Sequence, residues 1–225
     1  LRKGNQLVVA PWLETMHQVV DRFSEIRRKH GPDAIAGLIT ARCTNEELYL
    51  FQKLMRAGFQ TNHLDSSARY GHLNFVHASQ HALGIGRSPN DWEDLTKAKA
   101  VILIGSNLTE TNPLTAVRIK EAIRVYKAQV VVIDSAVTNM AKLASHPVLI
   151  APGTEGLVID GLVKAAIELD LIDETSVKKH PHAFEALKAA VAHVSLEQVA
   201  AQTGMSVESL KDTVTIFAEA SRSII

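Results

Sequence analysis

Cysteine is almost absent: the 225 residues hold one, Cys43. A single thiol excludes an internal disulfide, a cysteine-rich zinc site and an iron–sulfur cluster held by this chain alone. Net charge is absent too, with 24 Lys and Arg against 24 Asp and Glu. A balanced chain lacks the basic footprint by which nucleic-acid binders hold phosphates. The strongly apolar runs, such as 100–104 and 130–133, are far too short to cross a bilayer. No signal-peptide pattern opens the sequence, which reads as cytoplasmic, without direct membrane insertion. A glycine-rich phosphate loop is missing as well. Gly84-Ile85-Gly86-Arg87-Ser88-Pro89 lacks the third glycine, and its proline disfavours the helix start that such a loop needs.

What is present is core-forming material. Hydrophobic residues make up 46% of the chain, enough for one large α/β domain or two small ones. Residues 34–40 (AIAGLIT) follow the turn signal Gly31-Pro32-Asp33 and read as a buried strand. Thr44 with Glu47 three residues on is a capping box, opening a helix with Leu48, Phe51, Leu54 and Met55 on one face. Residues 99–105 (KAVILIG), 129–134 (QVVVID) and 148–151 (VLIA) read as parallel strands covered on both faces. Helices are expected between and after them, at 113–127 with a proline in the first turn and at 154–169. The spacing predicts a doubly wound parallel sheet. The last third reads as three helices, 183–192, 196–203 and 207–220. Near the start, 12–29 is helical, with Trp12, Met16, Val19, Val20 and Phe23 on one face. The chain opens on Leu1, and 221–225 turns apolar and β-like as it stops, so an excised piece of a longer polypeptide is expected.

In open α/β sheets, ligands bind beyond the carboxyl ends of the strands. Three loops fall there: Gly105-Ser106-Asn107, Asp134-Ser135 and Pro152-Gly153-Thr154-Glu155. Gly105 permits close backbone approach, Ser106 and Asn107 bring donors and acceptors, and Asp134 can accept from a ribose hydroxyl or a base. Thr154 is placed to cap a helix whose N–H groups favour an anion. The same residue types are also ordinary turn and cap formers. His77 and His81 share a helix face, with His72 five residues earlier, but no glutamate stands between them as in a metalloprotease helix. These three, and His180 and His182 beside Lys178 and Lys179, read as surface or packing residues, and no metal ligand is assigned. Cys43, with no dedicated histidine partner, reads as a small buried hydrophobe.

The order of short motifs resembles a known family. Leu1-Arg2-Lys3-Gly4 through Trp12, Ala41-Arg42-Cys43-Thr44-Asn45-Glu46-Glu47 and Asp65 with Ala68-Arg69 carry its first part. Ile104-Gly105-Ser106-Asn107, Val132-Ile133-Asp134 and Pro152-Gly153-Thr154-Glu155-Gly156 carry its second. The chain resembles the molybdopterin oxidoreductases over nearly its whole length, among them formate dehydrogenase catalytic subunits and the large G subunit of respiratory complex I (NADH:quinone oxidoreductase). The resemblance implies the formate dehydrogenase/DMSO reductase-like α/β fold. It places half of a neighbouring α/β domain at 1–65 and the doubly wound domain at 66–225. It also implies Gly105, Ser106, Asn107, Asp134, Gly153, Thr154 and Glu155 as contacts to the guanine ends of molybdopterin guanine dinucleotides.

Departures from the family pattern cluster at the chemistry. Formate dehydrogenases carry a metal-ligating cysteine or selenocysteine two residues after the alanine–arginine pair, whereas Ala68-Arg69-Tyr70 leads here to Gly71 and His72. Asp134 lacks the following proline and arginine, and Glu155 stands where aspartate is common. Three departures at one site imply a G-subunit piece supporting electron transfer from NADH to quinone. Such a piece carries no cofactor or catalytic residue of its own, and iron–sulfur clusters lie in neighbouring domains. The alternatives are the cofactor domain of a formate dehydrogenase-like molybdenum or tungsten enzyme, and a non-redox nucleotide-binding or assembly module. The expected partners are other domains of the same polypeptide and further subunits, and apolar surface exposed along 34–40 and at 223–225 in an isolated fragment predicts its self-association.

Overall fold

A computed structural model describes residues 1–225, the side chain of Lys3 excepted. The chain packs as two compact units, Leu1–Pro89 and Asn90–Ile225. The division implied after Asp65 falls within a strand of the first unit, Leu64–Ser66, and the compact boundary lies after Pro89.

In the first unit, β1 (Arg2–Lys3) and β2 (Gln6–Leu7) form a short antiparallel hairpin. Helix α1 (Trp12–His30) follows, ending at Gly31. Its apolar stripe buries no residue within this chain, and Trp12 is 75% exposed. Strand β3 (Gly37–Ile39) pairs in parallel with β4 (Leu64–Ser66). The run 34–40 is therefore a shorter strand than expected, and it is not covered on both faces: Leu38 is 83% exposed. A two-stranded sheet has too little surface above it to bury alternate residues on each side. Between the two strands, α2 (Asn45–Lys53) starts at the expected capping box, Thr44 accepting from the Glu47 N–H and Glu47 from the Thr44 N–H. It continues as a π-helical turn, Leu54–Phe59, and closes at Gln60 in the left-handed region. The Thr61 N–H then reaches back to the Met55 carbonyl, satisfying a helix-end acceptor. Helix α3 (Ala68–Leu83) ends at left-handed Gly84.

The second unit holds a four-stranded, all-parallel sheet in the order β7-β6-β5-β8. Its elements in chain order are α4 (Trp92–Lys97), β5 (Ala100–Ile104), α5 (Leu108–Thr111), α6 (Pro113–Glu121), β6 (Gln129–Asp134), β7 (His146–Leu149) and α7 (Glu155–Glu168). Then come α8 (Glu174–Lys179), α9 (Pro181–Ala190), α10 (Leu196–Thr203), α11 (Val207–Glu219) and β8 (Ser223–Ile224). Strands β5 and β6 are buried because both faces are covered, as their unbroken apolar runs predict. Ile102, Val131 and Ile133 pack with Val158, Leu162, Leu196 and Leu210. The alternate residues Val101, Leu103, Val130 and Val132 pack on the other face with Ala116, Ile119 and Met140. Strand β7 begins two residues before the expected 148–151, at His146, and carries Pro147. A residue without an N–H is tolerated there because β7 is an edge. The β-like C-terminal residues find their partner in β5.

Candidate cofactor-binding edge

The carboxyl ends of β5, β6 and β7 gather the loops of the second unit singled out from the sequence. At the end of β5, Gly105 has φ +57°, and its N–H donates to the Ile133 carbonyl at 2.9 Å. The left-handed turn is open to glycine without strain and carries the chain away from the sheet. Asn107 then nucleates α5: its Oδ1 accepts from the Thr109 hydroxyl at 3.1 Å and its carbonyl from the Thr111 hydroxyl at 3.0 Å. That leaves the Asn107 amide nitrogen, with half-buried Ser106 beside it, for a ligand.

Beyond β7, Thr154 occupies the N-cap position of α7 but does not cap it. Its hydroxyl donates back to the Ala151 carbonyl at 2.7 Å, which corrects the expected capping role. The first-turn N–H groups of α7 consequently have no side-chain cap. Glu155 leans across instead, with its Cγ 3.5 Å from the place a Cβ on Gly105 would take. The Gly105 and Gly153-Thr154-Glu155 loops thus meet, and above Gly153 and Gly156 a Cβ would find no atom within 4 Å. The backbone there is open to a ligand.

Asp134 ends β6 and is nine-tenths buried. Its Oδ1 accepts from the Ala136 N–H at 3.1 Å and its carbonyl from the Ile150 N–H at 3.0 Å. The second carboxylate oxygen has no partner among the described residues, and Asp134 lines an open cavity of about 450 Å³. Val132, Ala136, Pro147, Val148 and Leu149 give that cavity apolar walls, and Lys142 stands at it too. Sequence reasoning missed Lys142, which lies eight residues after the strand end in an ordinary turn. An apolar slot with an unpaired carboxylate oxygen accessible at its wall suits a flat heterocycle bearing N–H donors, and the open backbone beside it suits the polar groups such a heterocycle is linked to.

The remaining candidates lie in the first unit. Arg69, in the first turn of α3, holds Asp65 of β4 in a tight ion pair. That guanidinium, with the Ser66 N–H second, keeps the Asp65 carboxyl below its ordinary pKa, and Asp65 in turn raises that of Arg69. Gly71 sits in the first turn of α3, and a Cβ there would meet no atom within 4 Å, so the position has room for a side chain. His72 stacks on Phe75 at 5.7 Å, and His77 and His81 are exposed on the same helix. Among the described residues, no cluster of three His, Cys, Asp or Glu side chains could hold a metal ion. Cys43 is half-buried, not fully buried as read from the sequence. His180 and His182 are exposed at the start of α9. No helix among the described residues is long and apolar enough to cross a membrane.

Known proteins give this geometry a context. The chain is 30% identical over 220 residues to the assimilatory nitrate reductase catalytic subunit of Bacillus subtilis, covering 97% of this chain and 31% of that protein. It is 29% identical over 225 residues to a formate dehydrogenase 1 subunit alpha of Methanococcus maripaludis, covering 100% of this chain and 33% of that protein. The chain therefore spans about a third of the length of these relatives. Its fold matches acetylene hydratase from Pelobacter acetylenicus with a TM-score of 0.76 at 21% identity, over 96% of this chain and 29% of the hydratase. Residues 1–219 match the molybdopterin oxidoreductase family, and the chain belongs to that family.

Proposed function

We propose that this chain is the cofactor-binding α/β portion of a molybdopterin oxidoreductase of the formate dehydrogenase or nitrate reductase kind. In this reading its sheet edge holds the nucleotide end of a molybdopterin guanine dinucleotide. The observation that carries it is Asp134, a nine-tenths buried carboxylate with a free oxygen in an apolar slot at the carboxyl edge of a parallel sheet. The residues fit such a group. Gly153, Gly156 and the uncapped first turn of α7 offer open backbone, Gly105 supplies the left-handed turn beside Glu155, and Ser106 and Asn107 offer side-chain hydrogen bonds. Thr154, its hydroxyl turned to the Ala151 carbonyl, serves through backbone shape. Two carboxylates, Asp134 and Glu155, favour a donor-bearing base over bare phosphate at this edge. When bound, the cofactor supplies the redox chemistry; the chain's residues hold and orient its nucleotide end.

The formate dehydrogenase and nitrate reductase relatives support this reading over that of a complex I G subunit. Gly71 favours a second reading: with no side chain to offer a metal, this portion is a scaffold beside iron–sulfur domains, without a redox centre of its own. The test is metal analysis and acid release of nucleotide on the purified full-length protein. Stoichiometric molybdenum or tungsten with guanine nucleotide is expected. Absence of both would refute the first reading and support the scaffold.

A further inference from the structure

The end of α7 opposite the candidate edge borders another cavity, of about 430 Å³, between that helix and the α8–α9 pair. Val163, Ile167 and Leu171 form one wall, and Val177, Phe184 and Leu187 the other. Neither α8 nor α9 buries a residue, so both turn apolar side chains to this space without filling it. Protein interiors seldom leave voids larger than a water molecule, whereas an apolar pocket of this volume is of the size that holds small ligands. A smaller cavity of about 180 Å³ shares Ile172, Val177 and Phe184 with it and adds Asp170, Glu174 and Lys178.

The charges at this opening do not balance. Glu174 and Lys178 offset each other in an ion pair at 2.8 Å. Asp173, at the larger cavity, accepts from the Ser176 hydroxyl and from the Thr175 and Ser176 N–H groups, which hold its carboxyl below the ordinary aspartate range and so keep it charged. Asp170 stands in the left-handed region at φ +55°, and its carboxylate has no partner among the described residues. His180, also at the larger cavity, is exposed. The Phe184 ring, common to both cavities, already attracts a cation: the Lys188 ammonium lies 5.4 Å from its centroid, offset by Glu185 at 3.4 Å. Two carboxylates, Asp170 and Asp173, remain without a cation.

We propose that this pocket binds a small organic cation with an apolar tail, a primary alkylammonium. The tail lies between α7 and the α8–α9 pair, and the ammonium meets Asp170 and Asp173 beside the Phe184 ring. An anionic amphiphile of the same shape would bring its head against two like charges, and a neutral one would leave both unmatched. A cation gains from both carboxylates and from the face of an aromatic ring. The site shares no residue with the candidate nucleotide edge and stands independently of that reading.

The test is calorimetric titration of the 225-residue chain with n-octylammonium, n-octanol and octanoate. It is run on the parent, on the double variant Asp170→Asn with Asp173→Asn, and on Ala183→Met. Asparagine tolerates the left-handed region and caps a helix as well as aspartate does, so the double variant removes two charges and keeps the backbone. Ala183 lines the larger cavity, and methionine there takes up the space of the tail. The parent is expected to bind octylammonium about fivefold more tightly than octanol, the preference that two solvent-exposed carboxylates supply, and octanoate more weakly still. The double variant should lose that preference with octanol binding unchanged, and Ala183→Met should weaken octylammonium and octanol together. Octanoate binding as tight as octylammonium, or a preference that survives in the double variant, would overturn the proposal. So would a parent that binds no octylammonium, or undiminished binding by a folded Ala183→Met; if that variant unfolds, the double variant alone decides.

Discussion

The helix that brings Glu155 to the candidate edge is held by an unusually close crossing, and that crossing can be probed with one methyl group. Gly161 on α7 is buried, and a Cβ there would lie 2.9 Å from Val199 Cγ1 on α10 and 3.3 Å from a Leu210 methyl on α11. In an unobstructed helix, Gly→Ala stabilises by about 1 kcal/mol through backbone entropy. Here the same methyl overpacks a β-branched neighbour with little rotamer freedom, which costs about 1–3 kcal/mol. Gly161→Ala alone should therefore destabilise by roughly 1 kcal/mol, a fall of about 2–4 °C in Tm for a chain of this size. Val199→Ala alone removes two buried methyls and should cost about 2 kcal/mol. With Val199 shortened, the new methyl occupies vacated space, and Gly161→Ala should turn stabilising by about 1–2 kcal/mol. Urea unfolding followed by circular dichroism, on parent, both single variants and the double variant, closes the cycle. The expected coupling is on the order of 2 kcal/mol, far above the few tenths typical of independent sites. If Gly161→Ala has the same sign and size in both backgrounds, the close α7–α10 crossing is wrong.

Other outcomes follow from single contacts. Asp65 has a depressed folded-state pKa, so its contribution is present above the ordinary aspartate range and is lost as pH falls through the lower folded value. Arg69→Gln should move the Asp65 carboxyl resonance titration upward in NMR; an unmoved midpoint would refute the pairing. Thr44→Ala removes the acceptor for the Glu47 N–H and should cost about 1 kcal/mol of stability in chemical denaturation, whereas Thr154→Ala, with no capping bond to lose, should leave the start of α7 intact. The apolar stripe of α1 and Leu38 on β3 are exposed, so the chain should self-associate in sedimentation experiments. Trp12→Lys with Leu38→Lys should shift it toward monomer, and an unchanged distribution would place the contact elsewhere.

Features governed by neighbours along the chain were legible in the sequence. Thr44 and Glu47 form their capping box because both partners lie within one turn. Strands β5 and β6 read correctly because burial on both faces writes an unbroken apolar run. The edge strand did not: one side of β7 has no partner, so His146 and Pro147 can enter it, and the apolar signal appears two residues late. Helix α8 was missed because it is six residues long, buries nothing and is held by the Asp173 carboxylate accepting from the Thr175 and Ser176 N–H groups. The π-helical turns that extend α2 (Leu54–Phe59) and α6 (Ala122–Tyr126) also left no mark, since Gln60 and Lys127, not glycine, take the left-handed closing position.

The candidate edge divides along the same line. Strand ends predict where Gly105, Asp134 and Glu155 fall, because a parallel sheet aligns its carboxyl termini. What each residue has left to offer is decided by contacts that residue type does not reveal. Thr154, an expected cap, spends its hydroxyl on Ala151, whereas Asp134 keeps one oxygen free because the Ala136 N–H takes only the other. Lys142 comes to line the slot only through contacts distant in sequence from it, the Met140 anchor in the core and the Ser145 bridge to Val130 near the start of β6. Gly71 is the converse case, a residue whose meaning rests on what it lacks. Its surroundings could take a side chain, so the missing ligand there is a property of the sequence, not of the packing. The proposed nucleotide-holding edge and the position at which the family resemblance implies a metal ligand can therefore be lost independently, and the metal and guanine content of the full-length protein must be measured separately.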